Sequence, residues 1–266
     1  MTDDDAAGLP AHASTVAALF GELADRARAL AQRHFRSGLA VETKPDRSPV
    51  TEADRAIEAA LRALIAERFP EHGIWGEEQG HDGLRQRWLW VLDPIDGTKA
   101  FVTGLPLFVT LIALLDRGRP VFGAIEASAL GERWQGGLGV PPTWNGVACR
   151  TRPVADLAEA RMYSTTWVGA RPAYQAAIRR LAAAVGMPRA GGDGYVYGLL
   201  ASGFVDLVLD CAMQPYDYMA MVPVIEGAGG RVTDWQGRTL TLAGDGNVLA
   251  AANPRLHEAA LRVLAG

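Results

Sequence analysis

The sequence contains little cysteine and has no long run of apolar residues. Among its 266 residues there are two cysteines, Cys149 and Cys211. Two thiols are too few for a disulfide framework or a cysteine-ligated zinc site, so a reducing, cytoplasmic location is the expectation. The strongest apolar run spans residues 107–115, whereas a membrane-spanning helix needs about 20 residues. The acidic start, residues 1–5, does not predict an export signal, which begins with basic residues.

An excess of basic charge is also absent. There are 26 Lys and Arg residues against 30 Asp and Glu residues, which gives a net charge of −4. This sign excludes the usual nucleic-acid-binding protein, which neutralises phosphates with cations. The expected partner is therefore a small molecule, with neither nucleic acid nor membrane involved. An anionic ligand would be held by backbone amides, by a few cations or by a bound metal.

Lysine is also scarce. Of the 26 Lys and Arg residues, only Lys44 and Lys99 are lysines. Arginine serves almost everywhere else, so a retained lysine indicates that a compact point charge is wanted. Lys44 lies in residues 42–49, a polar segment that contains two prolines and is therefore predicted to be a loop. We expect this loop to act as a lid, with Lys44 near a metal or a phosphate.

Hydrophobic periodicity predicts helices at the start of the chain and strands after it. An amphipathic helix is expected over 14–36, and a second from the N-cap Thr51 to about Phe69, with Asp54 completing a capping box. From residue 73 the predicted strands are 74–75, 88–92, 108–115, 120–126 and 132–135, with a hairpin turn at 116–119. Later elements are strand 161–165, helix 171–184, a strand near 187, helix 195–202, strand 205–209, helix 216–227, strands 231–233 and 248–251, and helix 255–264.

Helices and strands are thus segregated early and interleaved late, which predicts an α+β fold. The composition changes near residue 150. We therefore expect a single domain over residues 1–266, with an N-terminal α+β half over about 10–150 and a C-terminal α/β half over about 151–266.

Acidic residues follow two of the predicted strands. Asp93 and Asp96 come after a buried strand and precede Gly97 and Thr98, and Glu77 follows a shorter strand upstream. An all-oxygen ligand set suits Mg²⁺, and successive amides at a helix start can bind an anion. Carboxylates beside a phosphate cradle indicate metal-assisted hydrolysis of a phosphate ester. The alternative is that the two aspartates merely shape a turn.

These motifs resemble the inositol monophosphatase family of metal-dependent, lithium-sensitive phosphatases. The resemblance rests on Gly76-Glu77-Glu78, on the run from Asp93 to Thr98, on Asp217, and on residues 226–230, and it extends over about 15–262. It implies the layered αβαβα sandwich shared with fructose-1,6-bisphosphatase, often in a homodimer. One departure is Tyr216, which stands where the family usually has Trp.

The resemblance implies two or three Mg²⁺ ions in each active site. Glu77, Asp93 and the carbonyl of Ile95 match the ligands of the first ion, and Asp93, Asp96 and Asp217 match those of the second. Glu77 also matches a residue that helps to hold a weaker third ion. Asp96 and Asp217 are in addition expected to border the phosphate or substrate.

The remaining catalytic positions are implied in the same way. Gly97 and Thr98 match the phosphate-binding amides, and Thr98 with Asp54 matches the pair that orients the attacking water. Asp54 could instead be an ordinary acid at a helix start, favoured by the helix dipole.

Two acidic residues bear on the substrate. Asp210 matches an acidic position that faces substrate hydroxyls, and Asp193 lies in a segment that lines the family's substrate pocket, although it could simply be an N-cap. Two carboxylates not needed for metal favour a substrate with an ammonium group. The sequence resembles the histidinol-phosphatase branch most, so the expected reaction is hydrolysis of L-histidinol phosphate in histidine biosynthesis. The alternatives are an inositol-1-phosphatase, a promiscuous sugar or nucleotide phosphatase, and a catalytically silent binding protein.

Overall fold

Fifteen strands organise the chain in this computed structural model, which describes residues 13–38, 40–44, 49–137, 139–167 and 171–266. They are β1 (Val41–Thr43), β2 (Pro49–Thr51), β3 (Gly73–Gly76), β4 (Gly80–Asp82), β5 (Trp88–Asp96), β6 (Val109–Asp116), β7 (Arg119–Ala127), β8 (Glu132–Gly137), β9 (Val140–Trp144), β10 (Val147–Ala148), β11 (Arg161–Ser164), β12 (Met187–Ala190), β13 (Leu207–Asp210), β14 (Arg231–Thr233) and β15 (Val248–Ala251). A large sheet has the order β10-β9-β8-β7-β6-β5-β3-β4, a smaller one β12-β11-β13-β15-β14, and β1 pairs with β2 in a ribbon.

Eight α-helices cover the described parts of these sheets. They are α1 (Ala13–His34), α2 (Glu52–Arg68), α3 (Thr98–Val102), α4 (Pro172–Ala184), α5 (Tyr195–Ala201), α6 (Pro215–Tyr218), α7 (Met221–Gly227) and α8 (Pro254–Ala265). Within the described ranges, no helix combines the length and the apolar character needed to cross a bilayer.

Both faces of the large sheet are buried, as the alternation along β5 shows. Trp90 packs in one core cluster with Phe20 of α1 and Ile57 of α2. Its neighbour Val91 points to the other face and joins a second cluster with Tyr197 of α5. Because side chains alternate along a strand, one apolar run can hold helices on both sides of a sheet.

The second cluster also contains Val208 and Ala250 of the small sheet, so α5 and α7 lie between the two sheets. A third cluster joins the small sheet's outer face, through Leu249, to Leu181 of α4 and Leu256 of α8. The layers are therefore α1 and α2, the large sheet, α5 to α7, the small sheet, and α4 with α8. This confirms the predicted αβαβα sandwich.

Most predicted elements are present, and the capping box at Thr51 and the hairpin turn between β6 and β7 are confirmed. The prediction of one helix over 216–227 was wrong, because the chain forms α6 and α7 instead. Pro223 has no N–H to donate to Met219, and its ring crowds that carbonyl, so the helical hydrogen bonds are interrupted between α6 and α7, although Met219 and Ala220 keep helical dihedral angles. Strand β13 begins at Leu207, two residues later than predicted. Strands β4, β9 and β10 were not predicted.

The prediction of a simple loop over 42–49 was also wrong at its ends. Val41 pairs with Thr51 and Thr43 with Pro49, so the segment enters and leaves as an antiparallel ribbon. Residues 45–48 lie outside the described residues. All strands of the large sheet come from residues before 150 and all strands of the small sheet from residues after it. The division of the domain into two halves stays a prediction.

Candidate active site

A register shift near the end of β5 brings two carboxylates to one place. Asp93 pairs with Leu111 of β6 but Asp96 pairs with Val109, so β5 holds one extra residue in this interval. Residues three apart on a regular strand face opposite sides, and an extra residue reverses that relation. Asp217, near the start of α6, completes the group: one carboxylate oxygen from each of these three aspartates lies within 4.8 Å of the others.

Glu77 reaches the same site because β3 runs parallel to β5. Gly76 is paired with Leu92, and the amide of Glu77 donates to the carbonyl of Leu92 at 3.2 Å. The carboxyl ends of parallel neighbours meet at one edge, so Glu77 and Asp93 emerge side by side.

The carboxylates repel one another in a site that is largely removed from water. Burial raises the pKa of Asp93 well above its usual range, and the charges of Glu77, Asp96 and Asp217 add to this shift. Burial, with a contribution from Glu77, raises the pKa of Asp217 to about 7. Such groups need protons or a bound cation to be stable.

Lys44 supplies a positive charge from the ribbon. Its Nζ donates to Oε1 of Glu77 at 2.8 Å and to Oε1 of Glu78 at 2.6 Å. The structure thus places Lys44 between the carboxylates of Glu77 and Glu78. Its position near a metal or a phosphate stays a prediction. Burial raises the pKa of Glu78 to about 7, although Lys44 opposes this shift.

Asp54 has one oxygen engaged in the helix cap and one oxygen free. Its Oδ2 accepts from the amide and the hydroxyl of Thr51, at 2.8 Å and 2.6 Å. Its Oδ1 is buried and has no hydrogen-bond partner among the described residues. Asp54 is therefore a capping acid, as the alternative interpretation held, and it also offers an unused acceptor. Burial raises its pKa, and the hydrogen bonds from Thr51 oppose that shift.

The turn after β5 presents the predicted phosphate-binding residues. Gly97 has φ +83°, a left-handed conformation that favours glycine, and it is the N-cap of α3. The hydroxyl of Thr98 donates to the carbonyl of Ile95 at 3.0 Å. This contact leaves the Thr98 oxygen free to accept a hydrogen bond, and the carbonyl of Ile95 with a second lone pair.

Asp193, from the C-terminal half of the chain, lies against this turn. A Cβ on Gly97 would stand 3.0 Å from Oδ2 of Asp193, so the glycine also gives this carboxylate room. Oδ2 of Asp96 in return accepts from the amide of Gly194. The N-cap of α5 is Gly194, without a side-chain cap, so the structure does not support Asp193 as an N-cap. Burial, together with the charge of Asp210, raises the pKa of Asp193 to about 6.

Asp210 lies at the end of β13 and is 2% exposed. Its Oδ1 accepts from the amides of Thr165 and Thr166 at 2.7 Å and 3.2 Å, and its Oδ2 accepts from the hydroxyl of Tyr197 at 2.9 Å. Both oxygens therefore have internal partners. A direct contact between Asp210 and a substrate stays a prediction.

Sequence reasoning missed Glu58, which is fully buried on α2. It lies one helical turn after Asp54, and its carboxylate accepts from backbone amides just beyond Glu77. The signal in the sequence was an acid within the apolar stripe that contains Ile57 and Leu61, because charged groups are almost never buried unless paired.

The comparisons with known proteins agree with this geometry. A sequence model of the inositol monophosphatase family matches residues 12–265. The bifunctional phosphatase IMPL2 of Arabidopsis thaliana is 42% identical over 257 residues, which are 93% of this chain and 74% of that protein. A histidinol-phosphatase of Mycobacterium tuberculosis is 37% identical over 247 residues, 90% of this chain and 94% of the relative.

Among solved structures, an inositol monophosphatase from Zymomonas mobilis is 40% identical and superposes with a TM-score of 0.84. The match covers 92% of this chain and 96% of the other. The chain therefore belongs to the inositol monophosphatase family, and it is a phosphatase of small phosphate monoesters.

Proposed function

We propose that this phosphatase hydrolyses L-histidinol phosphate to L-histidinol and phosphate and depends on Mg²⁺. The observation that carries the proposal is the position of Asp193, a carboxylate beside the phosphate-binding turn but outside the cluster of three aspartates. An ammonium group would neutralise it, and the substrate carries one. The Mycobacterium tuberculosis relative is named for the same reaction.

The residues present fit a magnesium site. The donors are all oxygens, as Mg²⁺ prefers. Oδ1 of Asp93 is buried and lacks a hydrogen-bond partner within the described part of the chain, which a metal ligand would supply. We infer that Glu77, Asp93 and the Ile95 carbonyl hold one ion and that Asp93, Asp96 and Asp217 hold a second. Glu77 would contribute to any third ion.

The residues of this chain then perform the remaining tasks. Bound Mg²⁺ lowers the pKa of a water molecule and stabilises the leaving alkoxide. Thr98 and the free Oδ1 of Asp54 accept hydrogen bonds from the attacking water and so orient it. The amides of Gly97 and Thr98 hold the phosphate in line with that water.

In this proposal, Asp193 determines the specificity for the alcohol portion of the substrate. Burial and the charge of Asp210 raise the pKa of Asp193, and the charge of Lys99 opposes this shift only in part. A substrate ammonium restores the charged form through a charge-assisted hydrogen bond. In the same proposal, Asp210 stabilises the substrate site by accepting hydrogen bonds from the amides of Thr165 and Thr166.

The test is phosphate release from four esters, with and without Mg²⁺: histidinol phosphate, inositol 1-phosphate, fructose 1,6-bisphosphate and 3′-phosphoadenosine 5′-phosphate. We expect the highest kcat/KM on histidinol phosphate, no turnover without the metal, and inhibition by millimolar Li⁺. Inositol 1-phosphate is the second candidate, because the Zymomonas mobilis structure is titled an inositol monophosphatase. A higher kcat/KM on that ester would replace the proposed substrate.

The variant Asp93→Asn tests the metal site itself. Asp93 is expected to bridge two ions, so loss of its charge should lower Mg²⁺-dependent turnover by several orders of magnitude while the fold is kept. Steady-state kinetics and a thermal unfolding curve of the same sample measure both properties. Near-normal turnover by a folded variant would contradict the assignment.

The proposed enzyme is a cytoplasmic homodimer. Light scattering at micromolar concentration measures the oligomeric state, and a monomer at that concentration would correct this part of the proposal.

A further inference from the structure

Glu58 of α2 is hydrogen-bonded to the backbone of the turn that carries Glu77. Glu58 is not one of the expected metal ligands. Its Oε2 accepts from the amide of Glu78 at 2.7 Å, and its Oε1 accepts from the amide of Gln79 at 3.0 Å. The Glu58 side chain is fully buried. A buried carboxylate with two backbone donors is a strong, directional anchor for a turn.

Arg62 completes this grip from the next turn of α2. Its Nε donates to Oε1 of Glu58 at 2.8 Å, and its Nη2 donates to the carbonyl of Gly80. The helix therefore holds the turn between β3 and β4 at two points, one on each side of its tip. We call Glu58 and Arg62 together the turn clamp.

The sequence leaves room for the turn clamp at Gly76. A Cβ at this position would lie 2.1 Å from Oε1 of Glu58, which is far inside van der Waals contact. The glycine therefore permits the carboxylate to reach the turn. On its other side, the turn is held by the hydrogen bond from Glu77 to Leu92.

Asp54 and Glu58 lie four residues apart on one face of α2. One helix thus carries the water-orienting candidate and the group that fixes the backbone beside Glu77. Because the helix is rigid, the turn clamp helps to set the distance between Asp54 and the backbone beside Glu77.

Resting on the proposed function, we propose that Glu58, held by Arg62, is a positioning residue that sets the place of Glu77 as a Mg²⁺ ligand. It does not touch substrate or metal. Without it the turn relaxes, and Glu77 reaches the ion from a distribution of positions instead of one.

The experiment measures Mg²⁺ affinity by calorimetry in the wild-type chain and in two variants, Glu58→Gln and Arg62→Gln. Glu58→Gln places an amide donor against backbone donors, so we expect Mg²⁺ binding to weaken by about tenfold or more. Arg62→Gln loosens the same turn and should weaken binding as well. Arg68→Gln is the matched control, because Arg68, the last residue of α2, is exposed and pairs with the exposed Glu22 of α1; the Mg²⁺ affinity of this variant should stay unchanged.

The two variants separate positioning from simple electrostatics. Loss of a negative charge at Glu58 weakens cation binding by Coulomb's law alone, whereas loss of a positive charge at Arg62 strengthens it. Weaker binding in both variants supports the turn clamp. Opposite signs would overturn it, and so would unchanged affinity in both.

Hydrogen exchange in the wild-type chain provides a readout that does not depend on the variants folding. The amides of Glu78 and Gln79 should exchange slowly, and the exchange should accelerate in Arg62→Gln. Fast exchange in the wild type would overturn the inference. A wild-type chain that binds no Mg²⁺ would overturn the proposed function and this inference together, whereas equal Mg²⁺ binding by all three proteins would overturn the inference alone.

Discussion

Two acidic residues expected to share one role have different surroundings. Both oxygens of Asp210 accept hydrogen bonds from Thr165, Thr166 and Tyr197, so its carboxylate joins the end of β13 to α5 and to the segment after β11. Asp193 has φ +42° and lies against Gly97 at the site's edge. The left-handed region tolerates Asp and Asn, so Asp193 can be changed to its amide without backbone strain.

Asp193→Asn should therefore impair recognition and spare chemistry. The variant keeps size and shape but loses the charge that would meet the substrate ammonium. A charge-assisted hydrogen bond contributes ~1.5–3 kcal/mol, so kcat/KM on histidinol phosphate should fall about 10- to 150-fold. Activity on p-nitrophenyl phosphate, which has no ammonium, should be nearly unchanged.

The control for this measurement is Asp116→Asn, which removes a carboxylate from a surface pair with Arg87. It should leave both esters unaffected. Equal losses on both esters in Asp193→Asn would mean that this carboxylate supports the metal site or the fold, and inositol phosphate or a broad substrate range would then become the better hypothesis.

At the scale of elements, the β1–β2 ribbon is tied to the active site through Lys44. Its ammonium lies between Glu77 and Glu78, where a cation is needed. A metal bound at Glu77, as proposed, would compete with this contact, and a bound phosphate would offer Lys44 a new partner. We therefore expect the contacts of the ribbon to change when metal and phosphate bind.

Amide exchange in residues 41–44, 50 and 51 should slow when Mg²⁺ and phosphate are added together, since the ribbon is then expected to close over both. Mass spectrometry of peptides that cover these residues measures the effect. In Lys44→Gln the slowing should be much smaller. Equally fast exchange with and without the ligands would identify the ribbon as a plain surface feature.

Helix α8 is joined to β14 by a buried histidine. Nε2 of His257 lies 2.8 Å from Oγ1 of Thr233, whose hydroxyl donates to the carbonyl of Asp234. The Thr233 oxygen thus accepts from Nε2–H of a neutral imidazole. Burial, and secondarily the charge of Arg231, lowers the pKa of His257 to about 4.

This shift predicts a loss of stability in acid. Because the unfolded histidine titrates near ~6.5, the unfolded state binds a proton first as the pH falls. The contribution of His257 is present above ~6.5 and decreases towards pH 4 by at most about 3 kcal/mol. Urea unfolding at several pH values should show a weaker acid dependence in His257→Gln than in the wild type. The exposed His81, changed to Gln, should match the wild type, and identical slopes in all three proteins would refute the prediction.

At the scale of the whole molecule, the acidic site opposes folding when it lacks cations. The pKa values of Asp217 and Glu78 are raised to about 7 and that of Asp193 to about 6. The folded metal-free protein therefore keeps protons that the unfolded chain has lost between pH ~4 and ~7. Their stabilising contribution is present at low pH and disappears as the pH rises through the folded pKa values.

Mg²⁺ should consequently stabilise the protein more at pH 8 than at pH 5.5, because the ion replaces protons at the higher pH. The difference in Tm with and without saturating Mg²⁺, measured at both pH values, tests this expectation. The comparison at fixed pH cancels the contribution of His257. The same gain in Tm at both pH values would contradict the assigned carboxylates.

Features that depend on near neighbours along the chain can be predicted from the amino-acid sequence. The capping box of Thr51 and Asp54, the hairpin between β6 and β7, and the apolar stripes of α1 and α2 all arise within a few residues of chain. Spacing and side-chain chemistry are sufficient there, because the contacts form inside one turn or one helix. The layered fold followed from the resemblance to a family.

Which of these groups come into contact depends on tertiary packing. Lys44 contacts Glu77, which is 33 residues away in the sequence, and Asp96 accepts a hydrogen bond from the amide of Gly194, which is 98 residues away. The register shift in β5, the internal partners of Asp210 and the grip of Glu58 on the Glu77 turn depend on how strands pair and layers stack. The sequence can single out some of these residues but not their partners, because the contact geometry is set by packing between segments that are distant along the chain.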